Sequence, residues 1–256
     1  MPAIDVRAIP AFHDNYIWLL HGDGKQCAIV DPGDAAPVRA VLQQTGLQLT
    51  TILITHHHAD HIGGMASLAE EWSPRLIGPS DPRIPGLDMV VRQGDVAEVP
   101  ELGLAFQVIE VPGHTSSHIA YFGHGRLFCG DTLFSVGCGR LFEGTAEQMQ
   151  QSLDKLAALP ADTKVYCAHE YTLANCRFAL EVEPDNAALQ QKTRQVESAR
   201  AVGQVTLPSV LGEELATNPF LRSRENSVIQ AARKRNPAAA AGVTTLQSIR
   251  QWKDEW

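Results

Sequence analysis

Short apolar runs alternate with amphipathic segments along the first part of the chain. Residues 27–30 form one such run, and the turn residues 31–33 that follow indicate a strand that ends at residue 30. Asp34 is suited to cap a helix running to about Thr45, and Gly46 supplies a stop signal. The alternation of strand and helix patterns predicts an α/β fold.

Helical signals recur further along the chain. Residues 65–72 have helical periodicity, and a capping-box phrase at 145–148 predicts a helix that stops at Pro160. Residues 244–247 form a second capping-box phrase, which predicts the start of the final helix.

The character of the chain changes after Tyr171, where strand-like runs nearly vanish and helical patterns dominate. No low-complexity linker or internal repeat is evident. We predict a larger domain over residues 1–170 and a smaller helical domain over residues 171–256.

Composition and charge narrow the functional classes. The 256 residues carry a net charge of −8 and no long run of Lys or Arg, which argues against a nucleic-acid partner. No apolar run is long enough to span a bilayer, and the N-terminus lacks a signal-peptide pattern. The five cysteines contain no Cys-x-x-Cys pair, so disulfides are not indicated. We expect a monomeric, cytoplasmic protein.

The loop after the apolar residues 51–54 is rich in metal-binding side chains. His56 and His58 should point the same way if residues alternate out of the strand end, and Asp60 and His61 could serve a neighbouring ion. His57 should face elsewhere.

Three further strand-like runs also end close to a potential metal ligand. These ligands are His114, Asp131 and His169. Cys138 lies near Asp131 in sequence, but its glycine neighbours indicate a tight loop, and we do not assign it as a ligand.

Seven candidate ligands are too many for one tetrahedral ion that also keeps a water position. The number suits two ions with three ligands each and one shared carboxylate. Asp131 is the natural bridge, because a carboxylate has two oxygens that can span two cations. His and carboxylate ligands accept zinc, iron or manganese, and we expect zinc.

These motifs resemble those of metallo-β-lactamase-fold hydrolases. The resemblance rests on the His-x-His-x-Asp-His signature at 56–61, the Gly-His-Thr phrase, the strand-end Asp and the distal His. It implies a four-layer αββα sandwich followed here by the helical domain. It also implies that His56, His58 and His114 hold one metal ion, that Asp60, His61 and His169 hold the other, and that Asp131 bridges them.

Further phrases are similar to one branch of these hydrolases, the hydroxyacylglutathione hydrolase or glyoxalase II family. They include residues 14–16, 137–140, 169–172 and 218–222. The resemblance implies that the glutathione part of the substrate is bound by Arg140, Tyr171, Arg250 and Lys253. Cations are chemically suited to this role because glutathione carries two carboxylates.

Two positions depart from the family pattern. Phe142 stands where some relatives have Tyr and cannot donate a hydroxyl hydrogen bond, so that role is not carried over. Ser117 stands where glycine is common, which we interpret as a loop variation.

The resemblance implies a binuclear-metal thioesterase acting on S-D-lactoylglutathione. A hydroxide bridging the metals would attack the thioester and release D-lactate and glutathione, the second step of methylglyoxal detoxification. Asp60 and Asp131 would be catalytic as well as metal-binding, with Asp60 orienting the bridging water.

Other interpretations stay open at this point. The same metal core could cleave phosphodiesters, lactams or lactones, and a closed structural metal site would bind ions without turnover. Asn15, Asp31 and His118 could support the ligands or make ordinary loop hydrogen bonds. The remaining histidines are given no functional role: His13, His21, His57 and His124.

Overall fold

The computed structural model describes residues 4–256, which divide into two compact units. The first contains residues 4–110 and 117–130, and the second contains residues 111–116 and 131–256. Because the units are interleaved along the chain, they do not meet at a single boundary. The division into domains near residue 170 stays a prediction.

The first unit alternates strands with short helices before it becomes a run of strands. Its elements are β1 Asp5–Ala11, β2 Asn15–His21, β3 Gln26–Val30, α1 Ala35–Thr45, β4 Gln48–Leu53, α2 Ala59–Ile62, α3 Met65–Trp72, β5 Arg75–Pro79, β6 Met89–Val91, β7 Val96–Val99, a 3-10 helix Pro100–Leu102, β8 Leu104–Glu110, β9 Ile119–Gly123 and β10 Arg126–Gly130.

Strands β1 to β6 form one sheet in sequence order. β2 is antiparallel to both β1 and β3, and β3 to β6 run parallel to one another. Because parallel strands end at the same edge, the loop after β4 emerges beside the turn that follows β3.

One face of this sheet is covered by α1 and α3. Alternate strand residues such as Ile29 and Ile52 share a buried apolar cluster with Val38, Leu42 and Leu68 of the helices. The intervening strand positions are buried too, as expected for a sheet that is covered on both faces.

Strands β7 to β10 are antiparallel, in the order β10-β9-β8-β7. The buried Tyr121 hydroxyl on β9 donates a 2.7 Å hydrogen bond to the carbonyl oxygen of Ile54, just after β4. A polar contact therefore joins these strands to the first sheet across a buried layer, which is the arrangement of a sandwich.

The second unit is mostly helical. Its elements are β11 Leu133–Phe134, β12 Gly137–Cys138, α4 Ala146–Ala157, β13 Lys164–Cys167, α5 Thr172–Val182, α6 Ala187–Ala201, β14 Ser209–Val210, α7 Leu211–Thr217, α8 Asn226–Arg233 and α9 Val243–Glu255.

The second unit has its own apolar core, in which α5 packs on α6. Cys176 and Ala179 contact Leu189 and Val196 there, and Val136 from the β11–β12 hairpin joins them. Val136 has φ 56°, a left-handed conformation that is costly for a β-branched residue. Its N–H donates a 2.7 Å hydrogen bond to the buried carboxylate of Glu214, which stabilises this turn.

Most of the local signals in the sequence are confirmed. Asp34 caps α1 by accepting from Ala36 N, and Gly46 ends the helix with φ 70°. Thr145 and Gln148 form the predicted capping box of α4, which ends three residues before Pro160.

The capping box predicted at 244–247 is wrong. Helix α9 begins at Val243 after Gly242, and no side chain caps it. Thr244 Oγ1 instead accepts from Ala240 N at 2.8 Å and donates to Ala240 O at 3.0 Å, because the preceding turn folds back over the first helical turn.

None of the helices within residues 4–256 has the length and apolar character needed to span a bilayer.

Candidate metal centre

The histidine-rich loop leaves β4 at the edge of the first sheet and runs into the short helix α2. His56 and His61 are fully buried, and His58 and Asp60 are half-buried. The backbone here approaches the turn after β3 so closely that a Cβ at Gly33 would overlap the carbonyl oxygen of Asp60. Only glycine fits at that position.

His56 and His58 point the same way, as predicted. His56 Nε2 and His58 Nδ1 lie 3.1 Å apart. Two nitrogens bound to one tetrahedral zinc ion at its usual bond length would be about 3.3 Å apart. The pair therefore has the spacing of two ligands of one ion.

Hydrogen bonds behind His56 set its tautomer. Thr55 Oγ1 donates to Asp31 Oδ2 at 2.6 Å and lies 3.1 Å from His56 Nδ1. Since the hydroxyl proton is used on Asp31, the Thr55 oxygen accepts from His56 Nδ1–H. His56 Nε2 then carries a lone pair directed toward His58.

The same carboxylate orients His61. Asp31 Oδ2 lies 3.0 Å from His61 Nδ1, and both side chains are buried. An ionised carboxylate only accepts, so Nδ1 carries the proton and His61 Nε2 presents its lone pair. Asp60 Oδ2 lies 3.6 Å from that Nε2 and accepts a 2.9 Å hydrogen bond from Asn15 Nδ2.

The second unit supplies three candidate ligands, the imidazoles of His114 and His169 and the carboxylate of Asp131 that lies between them. Asp131 Oδ2 lies 3.4 Å from His114 Nε2 and 3.3 Å from His169 Nε2. All three side chains are buried. A carboxylate placed between two imidazoles has the position required of a bridging ligand.

Contacts on the side away from Asp131 orient the rings of His114 and His169. His114 Nδ1 lies 2.9 Å from the carbonyl oxygen of Arg140, which can only accept, so Nε2 faces Asp131 with its lone pair. The Tyr171 ring stacks on His169 with centroids 4.8 Å apart and planes 5° apart. A Cβ at Gly139 would overlap the Asp131 carbonyl oxygen, so this loop also depends on glycine.

The residues present fit divalent metal ions. Buried imidazoles whose protonated nitrogen faces away from the site, together with carboxylates, form the donor set that zinc, iron and manganese accept. Asn15 and Asp31 take the supporting positions that the sequence allowed, each bonded to a candidate ligand. His118 does so by stacking on His56, with centroids 4.5 Å apart.

Two of the predicted substrate cations, Arg250 and Lys253, lie on α9 in the second unit, and neither is fully exposed to solvent. Arg250 is 4 % exposed, and its guanidinium donates to Cys138 O at 2.8 Å and to Asp254 Oδ1 at 2.9 Å. Asp254 is also 3.5 Å from Arg140 Nε. One carboxylate therefore links the two arginines.

Lys253 is half-buried beside Arg250. Its ammonium donates to Asn175 Oδ1 and lies 5.7 Å from the centre of the Phe178 ring. Burial lowers the pKa of Lys253 to about 7, and the positive charge of Arg250 acts in the same direction. An anion bound beside Lys253 would raise the pKa of its ammonium group again.

Several structural partners could not be recognised in the sequence. Asn175, Glu214 and Asp254 are ordinary polar residues of helical segments, and they have no motif around them. They become informative only through long-range contacts, such as the 2.9 Å hydrogen bond from Asn175 Nδ2 to Ser135 O.

Two family models match the chain, and together they span nearly all of it. A model described as metallo-beta-lactamase superfamily matches residues 11–169. A model described as hydroxyacylglutathione hydrolase C-terminus matches residues 170–256.

Individual relatives agree with these models. A hydroxyacylglutathione hydrolase from Aliivibrio salmonicida is 53 % identical over 252 residues, covering 98 % of this chain and 99 % of the relative. A crystal structure of ETHE1 from Myxococcus xanthus superposes with a TM-score of 0.67 at 26 % identity, covering 97 % of this chain and 99 % of that one. A crystal structure of TTHA1623 in a di-iron-bound form has a TM-score of 0.59 at 24 % identity, covering 86 % and 99 %.

The fold expectation is thus confirmed as an α/β sandwich of the metallo-β-lactamase type with a helical C-terminal region. The 53 % identity to a hydroxyacylglutathione hydrolase over 98 % of the chain and the match of the two family models to residues 11–256 establish the family. The chain belongs to the hydroxyacylglutathione hydrolase family of thioester hydrolases.

Proposed function

We propose that the chain hydrolyses S-D-lactoylglutathione to D-lactate and glutathione with the aid of two divalent metal ions. The observation that carries this proposal is the relationship to hydroxyacylglutathione hydrolases over 98 % of the chain. Methylglyoxal detoxification is the process in which this reaction is the second step.

The proposed ligands are those expected from the sequence. One ion would be held by His56, His58 and His114, and the other by Asp60, His61 and His169, with Asp131 shared. The 3.1 Å spacing within the first unit and the position of the Asp131 carboxylate within the second support this assignment. Zinc is our expectation; the solved relative that holds two irons is a reason to test iron as well.

When bound, two such ions lower the pKa of water toward about 7 and polarise a carbonyl group. The protein's own residues would then orient the reactants. Asp60, which accepts a hydrogen bond from Asn15, would orient the attacking water. A C–O bond forms as the C–S bond breaks, and the sulfur leaves as a thiolate.

No strong general acid is needed for this leaving group. The conjugate acid of a thiolate has a pKa of about 8.5, so the product sulfur can take its proton from solvent. This agrees with the residues of the site, in which the buried carboxylate and imidazole groups are proposed as ligands.

The cationic residues of the second unit would bind the glutathione part. Arg140 is largely exposed and Lys253 half-buried, so both can reach a carboxylate of the substrate. Arg250 is already bonded to Asp254, and it would act by keeping that carboxylate and the local positive potential in place. The Tyr171 ring would contribute contact area beside His169.

The decisive experiment is hydrolysis of S-D-lactoylglutathione by the metal-loaded protein, followed by loss of thioester absorbance. Asp60→Ala should remove most turnover with a modest loss of stability, and Asp162→Ala at an exposed position is the matched control. Turnover by metal-replete Asp60→Ala near the wild-type level would overturn the role of Asp60. Absence of thioester turnover with two ions bound, together with cleavage of a phosphodiester, would overturn the substrate assignment.

The expectations of a cytoplasmic monomer without a nucleic-acid partner remain predictions. Gel filtration with light scattering would test the oligomeric state. An affinity for RNA that weakens strongly with salt would contradict the expected absence of a nucleic-acid partner.

A further inference from the structure

A buried carboxylate that belongs to neither metal lies behind the histidine-rich loop. Asp81 follows β5 by two residues and is 8 % exposed. It accepts from Arg83 Nε at 2.8 Å and from Arg83 Nη2 at 2.7 Å, and its Oδ2 accepts a 2.5 Å hydrogen bond from Ser117 Oγ. Because these donors surround the buried carboxylate, the orientation of the Asp81 side chain is fixed.

Asp81 reaches the ligand loop through His57. Asp81 Oδ2 lies 3.6 Å from His57 Nδ1, and the His57 side chain is mostly buried. The His57 ring meets the His58 ring edge-on, with centroids 4.8 Å apart. His57 also separates His56 from His58 along the chain, so its orientation constrains the backbone that presents both imidazoles.

A second route leads from Asp81 to His56. Ser117, which it binds, is followed by His118, whose ring stacks on His56 at 4.5 Å with planes 17° apart. His118 Nδ1 lies 3.0 Å from the carbonyl oxygen of Ile119. One carboxylate thus contacts both segments that flank the His56 ring, the ligand loop and residues 117–118.

We propose that Asp81 is a positioning residue that holds His56 and His58 in metal-binding geometry through His57 and Ser117. The proposal rests on the metal centre of the proposed function and deepens it. It also gives Ser117, the departure from the family's glycine, a role beyond loop variation: its hydroxyl ties the second segment to Asp81.

The charge of Asp81 persists over the pH range in which the site would work. The Arg83 guanidinium holds the pKa of the Asp81 carboxyl well below its usual range, with the Ser117 hydroxyl acting in the same direction. The carboxylate therefore accepts hydrogen bonds from Arg83 and Ser117 at neutral pH.

The test measures metal binding directly and uses no thioester. Asp81→Asn keeps the volume but places a donor amide among the donors of Arg83 and Ser117 and beside His57. Its matched control is Asp88→Asn, the same change in the same loop, at a carboxylate that accepts a 2.8 Å hydrogen bond from the backbone N–H of Leu76. Each purified protein is titrated with Co²⁺ against a competing chelator, and its visible absorption spectrum is recorded.

We expect Asp81→Asn to weaken the affinity for Co²⁺ roughly tenfold or more, the lower end of the effect of removing a group that orients a ligand. Its absorption bands should also shift, which a general loss of stability would not cause. Ser117→Ala should show the same changes to a smaller degree, and Asp88→Asn should match the wild type. If Asp81→Asn does not fold, Ser117→Ala decides the question by the same two readouts.

Wild-type affinity and spectrum in the Asp81 variant, or in folded Ser117→Ala where that variant must decide, would overturn the proposal. Equal losses in the Asp81 and Asp88 variants would also overturn it, because they would show a general effect of the loop. Failure of the wild type to hydrolyse the thioester would count against the proposed function and leave this result standing.

Discussion

The carboxylate of Asp31 and the imidazole of His61 are buried 3.0 Å apart, although 30 residues separate them in the chain. Asp31 lies at φ 53°, in the left-handed region that Asp and Asn tolerate best after glycine. This turn aims the carboxylate at three donors: Thr55 N at 2.8 Å, Thr55 Oγ1 at 2.6 Å and His61 Nδ1.

Asp31→Asn should weaken metal binding about 10- to 100-fold without a large loss of stability. The amide can still accept from Thr55 N and adopt the same backbone conformation. Its NH2 group would face His61 Nδ1, however, and favour the tautomer that protonates Nε2, the proposed ligand atom. Competition with a chelator measures the effect. Asp34→Asn is the control, because Asn is an equally good helix cap, and equal affinities in the two variants would contradict the prediction.

Removing the metal ions should lower the unfolding temperature. Ions that bind only the folded state stabilise it by about 2.7 kcal/mol when free metal is 100 times the dissociation constant. For a chain of this size that corresponds to roughly 5–10 °C. Calorimetry before and after chelation, and again after metal is restored, tests this. An unchanged unfolding temperature would mean that the buried ligands are not stabilised by metal.

Glu214→Ala should cost about 1–3 kcal/mol of unfolding free energy, because it leaves buried donors without an acceptor. The donors are Val136 N at 2.7 Å and Asn218 Nδ2 at 3.1 Å. Glu214→Gln retains an acceptor and should cost less. Urea unfolding measures both, and Glu213→Ala, an exposed neighbour, should change stability by less than about 0.5 kcal/mol. Similar values for Glu213→Ala and Glu214→Ala would contradict the assigned role.

Glu214 should also make stability depend on pH. Burial raises the pKa of this carboxyl, so between its ordinary and its raised value the folded state binds more protons than the unfolded state. The stabilising effect of the neutral acid is present at low pH and is lost as pH rises through the folded-state pKa. Comparing unfolding free energies of the wild type and Glu214→Gln across acidic to neutral pH isolates this effect. Parallel curves would contradict the prediction.

Lys253 should produce a dependence of the opposite sign at higher pH. Its pKa is lowered by burial from 10.5 to about 7, so between these values the unfolded state binds the extra proton. Stability of the wild type should therefore rise with pH over that range relative to Lys253→Met. Denaturant unfolding from pH 7 to pH 10 measures the difference, with exposed Lys164→Met as the control. The same slope in wild type and Lys253→Met would contradict the lowered pKa.

The sequence by itself predicted several of the elements and the approximate position of the candidate ligands. Apolar runs predicted β3, β4, β8, β10 and β13, because a buried strand needs contiguous apolar side chains. Caps such as Asp34 and Gly46 act over a few residues and could be recognised locally. The candidate ligands follow strand ends closely, so their approximate place in the fold was accessible too.

Only the tertiary structure decided which polar residues support the ligands. Asp81, Glu214 and Asp254 act through contacts with residues 24 to 114 positions away, and no local pattern marks such partners. The failed capping box at Thr244 has a related cause, since the preceding turn at Ala240 bonds to its hydroxyl. Periodicity and caps describe neighbours along the chain, whereas burial and hydrogen-bond partners depend on which segments packing brings together.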